Sequence, residues 1–295
     1  MAAIPGPTVR QRQLSMRLRA IRLEKNLSVE AVAKELECSQ SKISRLETAS
    51  RRPNPRDVRD LCRFYGLDDV VSAELVELAR EAKEPGWRKE YPEVRLGLES
   101  HRLGPYLDLE RSAAAITAFA TFYVPALMQT TDYAAAVIKG IVPTLDSEVL
   151  KERVDVRIRR QILFGREGAP TYRAFIDEAV LHRPTGGSEV MAAQIDKILE
   201  LEKEGKVIVQ IVPFEVGVVP AQDSNFVLLE FAEPELSPVV FIESLQNSQI
   251  LEKEADIKRY RETIDYLRDS ALTPRDSKAR LTQISKTFST VPSSN

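Results

Sequence analysis

Between Cys38 and Pro55 the chain reads CSQSKISRLETASRRPNP. Ile43 and Leu46 stand three apart, the interval that puts two side chains on one face of a helix. Gln40, Ser41, Lys42, Ser44 and Arg45 fill the other positions with polar and basic groups, and Arg51-Arg52 follows at once. A glutamine presents a donor and an acceptor together to an adenine edge, an arginine offers paired donors to guanine, and a serine serves several bases. Ser39, Lys42, the first amides of such a helix and Arg51-Arg52 suit phosphate oxygens. The chemistry is that of a helix lying in a major groove, held from behind by two aliphatic anchors.

Other candidate groups offer less. His101 and His182 are the only histidines and are too far apart in sequence to make a metal motif. Asp177-Glu178 and Glu152/Asp155 could be drawn as acid–base pairs, but no nucleophile or oxyanion motif accompanies them. The expectation is no enzyme. PTGGS, residues 184–188, has too few glycines and no following lysine for a phosphate loop, and reads as a turn before a helix. Cys38 directly precedes the polar helix, where a redox switch is conceivable and a small residue filling the turn is the simpler reading. Phe119, Phe122, Tyr123, Val124, Leu127 and Met128 read first as core, with a ligand pocket or partner groove as the alternative.

The elements that must position the polar helix follow from capping and periodicity. Leu14, Leu18 and Ile21 recur at helical spacing across Val9 to Leu23, and Asn26, tolerant of left-handed backbone, closes that helix. Ser28 caps a second helix through Leu36, and Ser39 a third to about Thr48. Asn54 caps a fourth, with Pro55 at its first position. A fifth is expected over about Ser72 to Lys83. The second and third, joined by a tight turn, make a helix-turn-helix in which Ile43 and Leu46 bury against Val32, Ala33 and Leu36. Glu37 falls in that turn; a positive φ there costs about 1 kcal/mol.

The domain boundaries expected are 10–84 for the helical module, 85–95 for a linker through EPGWRKEYPEV, and 96–287 for a larger body. In the body, residues 108–139 suggest helix broken at Pro125, and 147–164, 188–204, 254–270 and 275–287 further helices. TYRAFI, KVIVQIVPF, NFVLLEF and PVVFIES read as strands. The fold class expected is α+β, a five-helix module followed by a mostly antiparallel sheet packed on helices. The residues before Val9 read as a loose arm and STVPSSN as a disordered tail.

Composition bounds the partners. The chain is 43% hydrophobic and 29% charged, a soluble, globular balance, and holds no run of about 20 apolar residues. Without a signal-peptide core and with two cysteines, Cys38 and Cys62, it is expected in a reducing cytoplasm. A net charge of −2 hides an asymmetry. Residues 1–66 carry 14 Lys+Arg against 7 Asp+Glu, leaving 28 against 37 for the rest. A polyanion is therefore expected to meet the first part only.

The stretch LSVEAVAKELECSQSKISRLETASRRPNPRDVRDLCRFYGL resembles the phage-repressor-like (XRE) helix-turn-helix family, through Ser28, Ala33, Ser39, Ile43, Leu46-Glu47 and the Arg-x-Pro loop. The resemblance implies base contacts from Gln40, Ser41 and Arg45, with Ser44 a weaker candidate, and an ion pair between Arg22 and Glu47. Val29 stands where the family often has a phosphate-binding glutamine, and Glu37 where it often has glycine. The body is similar to that of an antitoxin-like group of XRE regulators common in actinobacteria, through VPALMQT, RIRRQILF, FIDEAVLHRPTGGSEVMAAQI and VIVQIVPF among others. A glycine-rich loop usual in that group is replaced by EVGVVPAQDS. Together these imply a DNA-binding transcriptional regulator on double-stranded DNA that needs no cofactor, expected as a homodimer without a membrane anchor. The alternative is an antitoxin-like module whose main ligand is a small partner protein.

Overall fold

Side chains that cap their own helices decide where the N-terminal elements begin. The computed structural model describes residues 9–82, 98–233, 236–243 and 248–289, with side chains of the second segment described from 103. The expected arm before Val9, the linker at 85–95 and nearly all of the tail lie outside the described residues. Five helices come first: α1 (Val9–Glu24), α2 (Val29–Glu35), α3 (Gln40–Glu47), α4 (Pro55–Phe64) and α5 (Asp69–Glu81). Ser28, Ser39, Asn54 and Asp68 each accept a backbone N–H from the first turn of the helix they precede. Asp68 starts α5 ahead of the expected Ser72, because a carboxylate at that place caps well and also suits the positive end of the helix dipole.

The stops are equally local. After α1 the amides of Asn26 and Leu27 bond Leu23 O and Arg22 O; after α2 those of Glu37 and Cys38 bond Lys34 O and Ala33 O; after α4 those of Gly66 and Leu67 bond Arg63 O and Cys62 O. Each pair is the double bond of a Schellman stop, which needs a left-handed residue. Those residues are Asn26 (φ 54°), Glu37 (φ 46°) and Gly66 (φ 62°); Ala49 (φ 53°) takes the same conformation after α3. The positive φ considered for Glu37 is present.

Leu14, Leu18, Val32, Ala33, Ile43, Leu46, Val58, Leu61 and Leu75 form one buried core, with Leu36 and Cys38 packed partly against it. Ile43 and Leu46 thus bury where expected.

The chain divides into two units, Met1–Ser112 with Phe231–Ser237, and Ala113–Glu230 with Pro238–Asn295. The first also contains α6 (Leu98–Ser112). The second holds β1 (Ala115–Ala120), α7 (Thr131–Ile141), α8 (Ser147–Arg159), β2 (Thr171–Asp177), α9 (Glu178–His182), α10 (Ser188–Lys203), β3 (Ile208–Val212), β4 (Phe226–Glu230), β5 (Val239–Glu243), β6 (Ser248–Leu251), α11 (Glu254–Ser270) and α12 (Pro274–Ser289). The six strands lie in the order β3-β2-β1-β4-β5-β6. β1–β4, β4–β5 and β5–β6 pair antiparallel, while β1–β2 and β2–β3 pair parallel. Helical crossovers after β1 and β2 enforce the parallel half, short connections join β4 to β5 and β5 to β6, and β4 reaches β1 from far down the chain. The fold is α+β with a mixed sheet.

β1 lies inside the segment expected to be helical. SAAAITAFA is alanine-rich, but β1 is central and its Ala118 and Ala120 are buried, so small side chains serve where neighbours approach from both faces. Propensity gives way to packing there. On one face Phe119, Phe175, Phe226 and Val240 meet Ile257, Ile264 and Leu267 of α11. Phe119, Val124, Leu127 and Met128 are buried, whereas Phe122 is exposed. The turn VPALMQT is tied by buried glutamines. Gln129 donates to Val124 O (2.6 Å) and accepts from Arg157, while Gln194 accepts from Thr130 N and donates to Met128 O, both at 2.8 Å.

Candidate nucleic-acid interface

The polar residues of α3 divide cleanly from the apolar ones. Ile43, Leu46 and Glu47 are buried, whereas Gln40, Ser41, Ser44 and Arg45 are exposed. Ser39 caps the helix, its hydroxyl accepting the Lys42 amide at 3.2 Å. Arg45 folds back along its own helix, Nε donating to Ser41 O at 3.1 Å, and the residue stays exposed. Arg51 and Arg52 are exposed immediately beyond. Lys42 differs: it is half-buried and its Nζ lies 2.9 Å from Asp57 Oδ1 in the first turn of α4. Its ammonium is shared with a carboxylate of its own chain.

Three further contacts fix α3. Arg22 of α1 grips Glu47 through two bonds, Nε–Oε1 at 2.7 Å and Nη2–Oε2 at 2.8 Å, and its third arm donates to Leu27 O at 2.7 Å. The hydrogen bond donated to Glu47 outweighs burial and holds the Arg22 pKa above its ordinary value. The ion pair implied by the XRE resemblance is present. Gln11, also on α1, donates Nε2 to Ala49 O (2.6 Å) and Arg51 O (3.0 Å), pinning the loop that carries both arginines. The Arg51 amide bonds Arg45 O at 3.0 Å.

Gln11 and Asp57 escaped the reading of the sequence. Gln11 carried a signal, since it is a polar residue on the same stripe of α1 as Leu14 and Leu18. Asp57 carried none that distinguishes it from any first-turn carboxylate. Cys38 packs partly against the core, and Cys62 is buried, where burial pushes its thiol pKa up.

In the second unit Asp177 and Glu178 are taken up by neighbouring groups. Asp177 caps α9 through the Ala179 amide and accepts from Gln222. Glu178 is 2% exposed and accepts from the Phe214 amide at 3.1 Å and from Arg280, with His182 Nε2 at 3.5 Å. Burial pushes its carboxyl up, but the Phe214 amide and Arg280 outweigh that and hold it below the usual range. Glu152 and Asp155 are exposed on α8. PTGGS is a turn, with Gly187 preceding α10. Among the described residues no three His, Cys, Asp or Glu side chains gather as a metal site, and no helix is long and apolar enough to cross a membrane.

Residues 103–283 match the family described as "Domain of unknown function (DUF5753)". The chain belongs to the DUF5753 family. Ahead of that DUF5753 region, residues 13–75 match a helix-turn-helix domain, spanning α1 to the middle of α5. At a coarse level this supports a DNA-binding regulator rather than an enzyme, the DUF5753 region itself being without an assigned activity. No curated protein and no solved structure matches this DUF5753 chain.

Proposed function

We propose that the protein is a cytoplasmic, sequence-specific transcriptional regulator of the phage-repressor-like (XRE) type, antitoxin-like in its body, that reads the major groove of double-stranded DNA with α3. The observation carrying this reading is the exposure of Gln40, Ser41, Ser44 and Arg45 on a helix whose other face is clamped by Ile43, Leu46 and the Arg22–Glu47 pair. Gln40, Ser41 and Arg45 read base edges, with Ser44 in a lesser role, while Ser39, Lys42, Arg51 and Arg52 hold phosphates. Lys42 does so by exchanging Asp57 for a phosphate oxygen. The module at 10–84 does the reading, 85–95 links, and the body at 96–287 serves dimerisation or a small protein or ligand. One module makes few base contacts, and two-fold pairing sets two copies of α3 on successive grooves about 34 Å apart.

Genome-wide footprinting of the tagged protein supplies the operator, and two variants then sort the contacts. Arg45→Ala relaxes preference at one base pair, by about 1–3 kcal/mol. Arg52→Ala weakens all sequences alike and flattens the salt dependence by about one unit. Wild-type operator binding by both variants at matched salt would falsify the docking of α3. Co-purification of a small protein with a chain that ignores DNA favours the antitoxin-like alternative instead.

A further inference from the structure

The two edges of the sheet are treated differently. Along β3, the outward amides of Val209 and Ile211 are taken by the Glu202 carboxylate (3.2 Å) and the Ser277 hydroxyl (3.0 Å), and Ile211 O by the Leu272 amide (2.8 Å). Residues brought by α10, the start of α12 and the turn before it have thus closed that edge to any further strand. β6 forms the other edge. Its residues Ser248, Gln249, Ile250 and Leu251 pair with Glu243, Ile242, Phe241 and Val240 of β5 on one side. On the far side, among the described residues, no hydrogen bond reaches β6. The strand also lacks the usual protections, for it holds no lysine, no proline and no charge.

We infer that β6 is the surface through which two copies of this chain join, edge to edge and antiparallel, into one continuous twelve-strand sheet. This deepens the dimeric reading above by naming the interface. Symmetry chooses the occupant. Antiparallel pairing of a strand with its own copy is self-complementary about a two-fold axis, and the four residues bring only neutral side chains face to face. Closure sets the number. With β3 capped, each copy has a single usable edge, so pairing two copies consumes both and growth stops at two. A dimer built this way has the symmetry that a palindromic operator demands of two reading helices.

The test is the mass of the full chain without DNA, by sedimentation equilibrium at micromolar concentration. Gln249 is exposed, so substitution there leaves the core untouched. The wild type sediments as a dimer. Gln249→Lys alone, and Gln249→Glu alone, weaken self-association at least tenfold with unchanged circular dichroism. An equal mixture of the two restores the dimer mass, because opposite charges then meet at the axis. A monomeric wild type, a Gln249→Lys protein that stays dimeric, or a mixture that stays monomeric overturns the proposal. Since no DNA is present, failure of the base-reading variants leaves this result standing. A dimer that ignores Gln249 in turn leaves the reading of DNA intact.

Discussion

Lys42 of α3 and Asp57 of α4 form an ion pair at 2.9 Å, both side chains about a quarter exposed. A cation of the helix-turn-helix is thus partly neutralised in the free protein. Pairs of this exposure contribute little to stability, on the order of 1 kcal/mol or less. Their effect on a polyanion is larger, because every uncompensated cation releases counterions.

Removing that competition should show on DNA. Asp57→Asn leaves Lys42 free and is expected to tighten binding to all sequences several-fold at low salt, with a salt slope steeper by up to about one unit. Anisotropy titrations on operator and scrambled duplexes between 50 and 200 mM salt read both quantities. Unchanged slope and affinity mean Lys42 makes no phosphate contact.

The Arg22–Glu47 pair is buried, so losing one member leaves a stranded charge. Arg22→Met should lower unfolding free energy by about 3–5 kcal/mol, and Arg22→Met with Glu47→Leu should recover most of it. Denaturant titration measures the stability, and operator binding of the double variant measures positioning. A double variant as unstable as the single one shows that the role is more than charge compensation.

Helix stops offer a gain instead of a loss. Glu37 and Ala49 hold positive φ with a side chain present, whereas Gly66 holds it without one. Glu37→Gly and Ala49→Gly should each stabilise by up to about 1 kcal/mol, and Gly66→Ala should destabilise by about 1 kcal/mol or more. No atom lies within 4 Å of a methyl placed on Gly66, so the loss there is backbone strain rather than a clash. Thermal melts of the three proteins decide it.

Acid should find Glu178. Its folded pKa lies below the unfolded value of about 4.3, so its contribution to stability is complete above that value and is lost as pH falls through the lowered one. Glu178→Gln should be less stable than the wild type by about 1–3 kcal/mol at pH 7. The gap should narrow steadily as pH drops below 4. A gap independent of pH assigns the loss to packing.

The N-terminal module was nearly all legible because its instructions are local. Ser28, Ser39 and Asn54 mark starts, Asn26 marks a stop, and Ile43 with Leu46 names the buried side of α3. The exposed set on α3 follows once the buried set is known. Gln11 and Asp57 act across long sequence separations, so nothing beside them announces their partners. In the body, β2 to β5 showed as runs of valine, isoleucine and phenylalanine, but β1 did not. Its alanines make sense only when β2, β4 and the covering helices are in place, and those come from residues far down the chain. β6 is four residues long, too short to show a period.

The sheet's strand order has a bearing on how the chain leaves the ribosome. β1 is the first strand made, yet one of its flanks stays bare until Phe226–Glu230 has been synthesised, and β4 in turn awaits β5. Helices α1 to α5 share one core and emerge first. A nascent protein thus spends a long interval with its helix-turn-helix end assembled and its body half-knit, and any chaperone dependence should track the synthesis of residues 113–251.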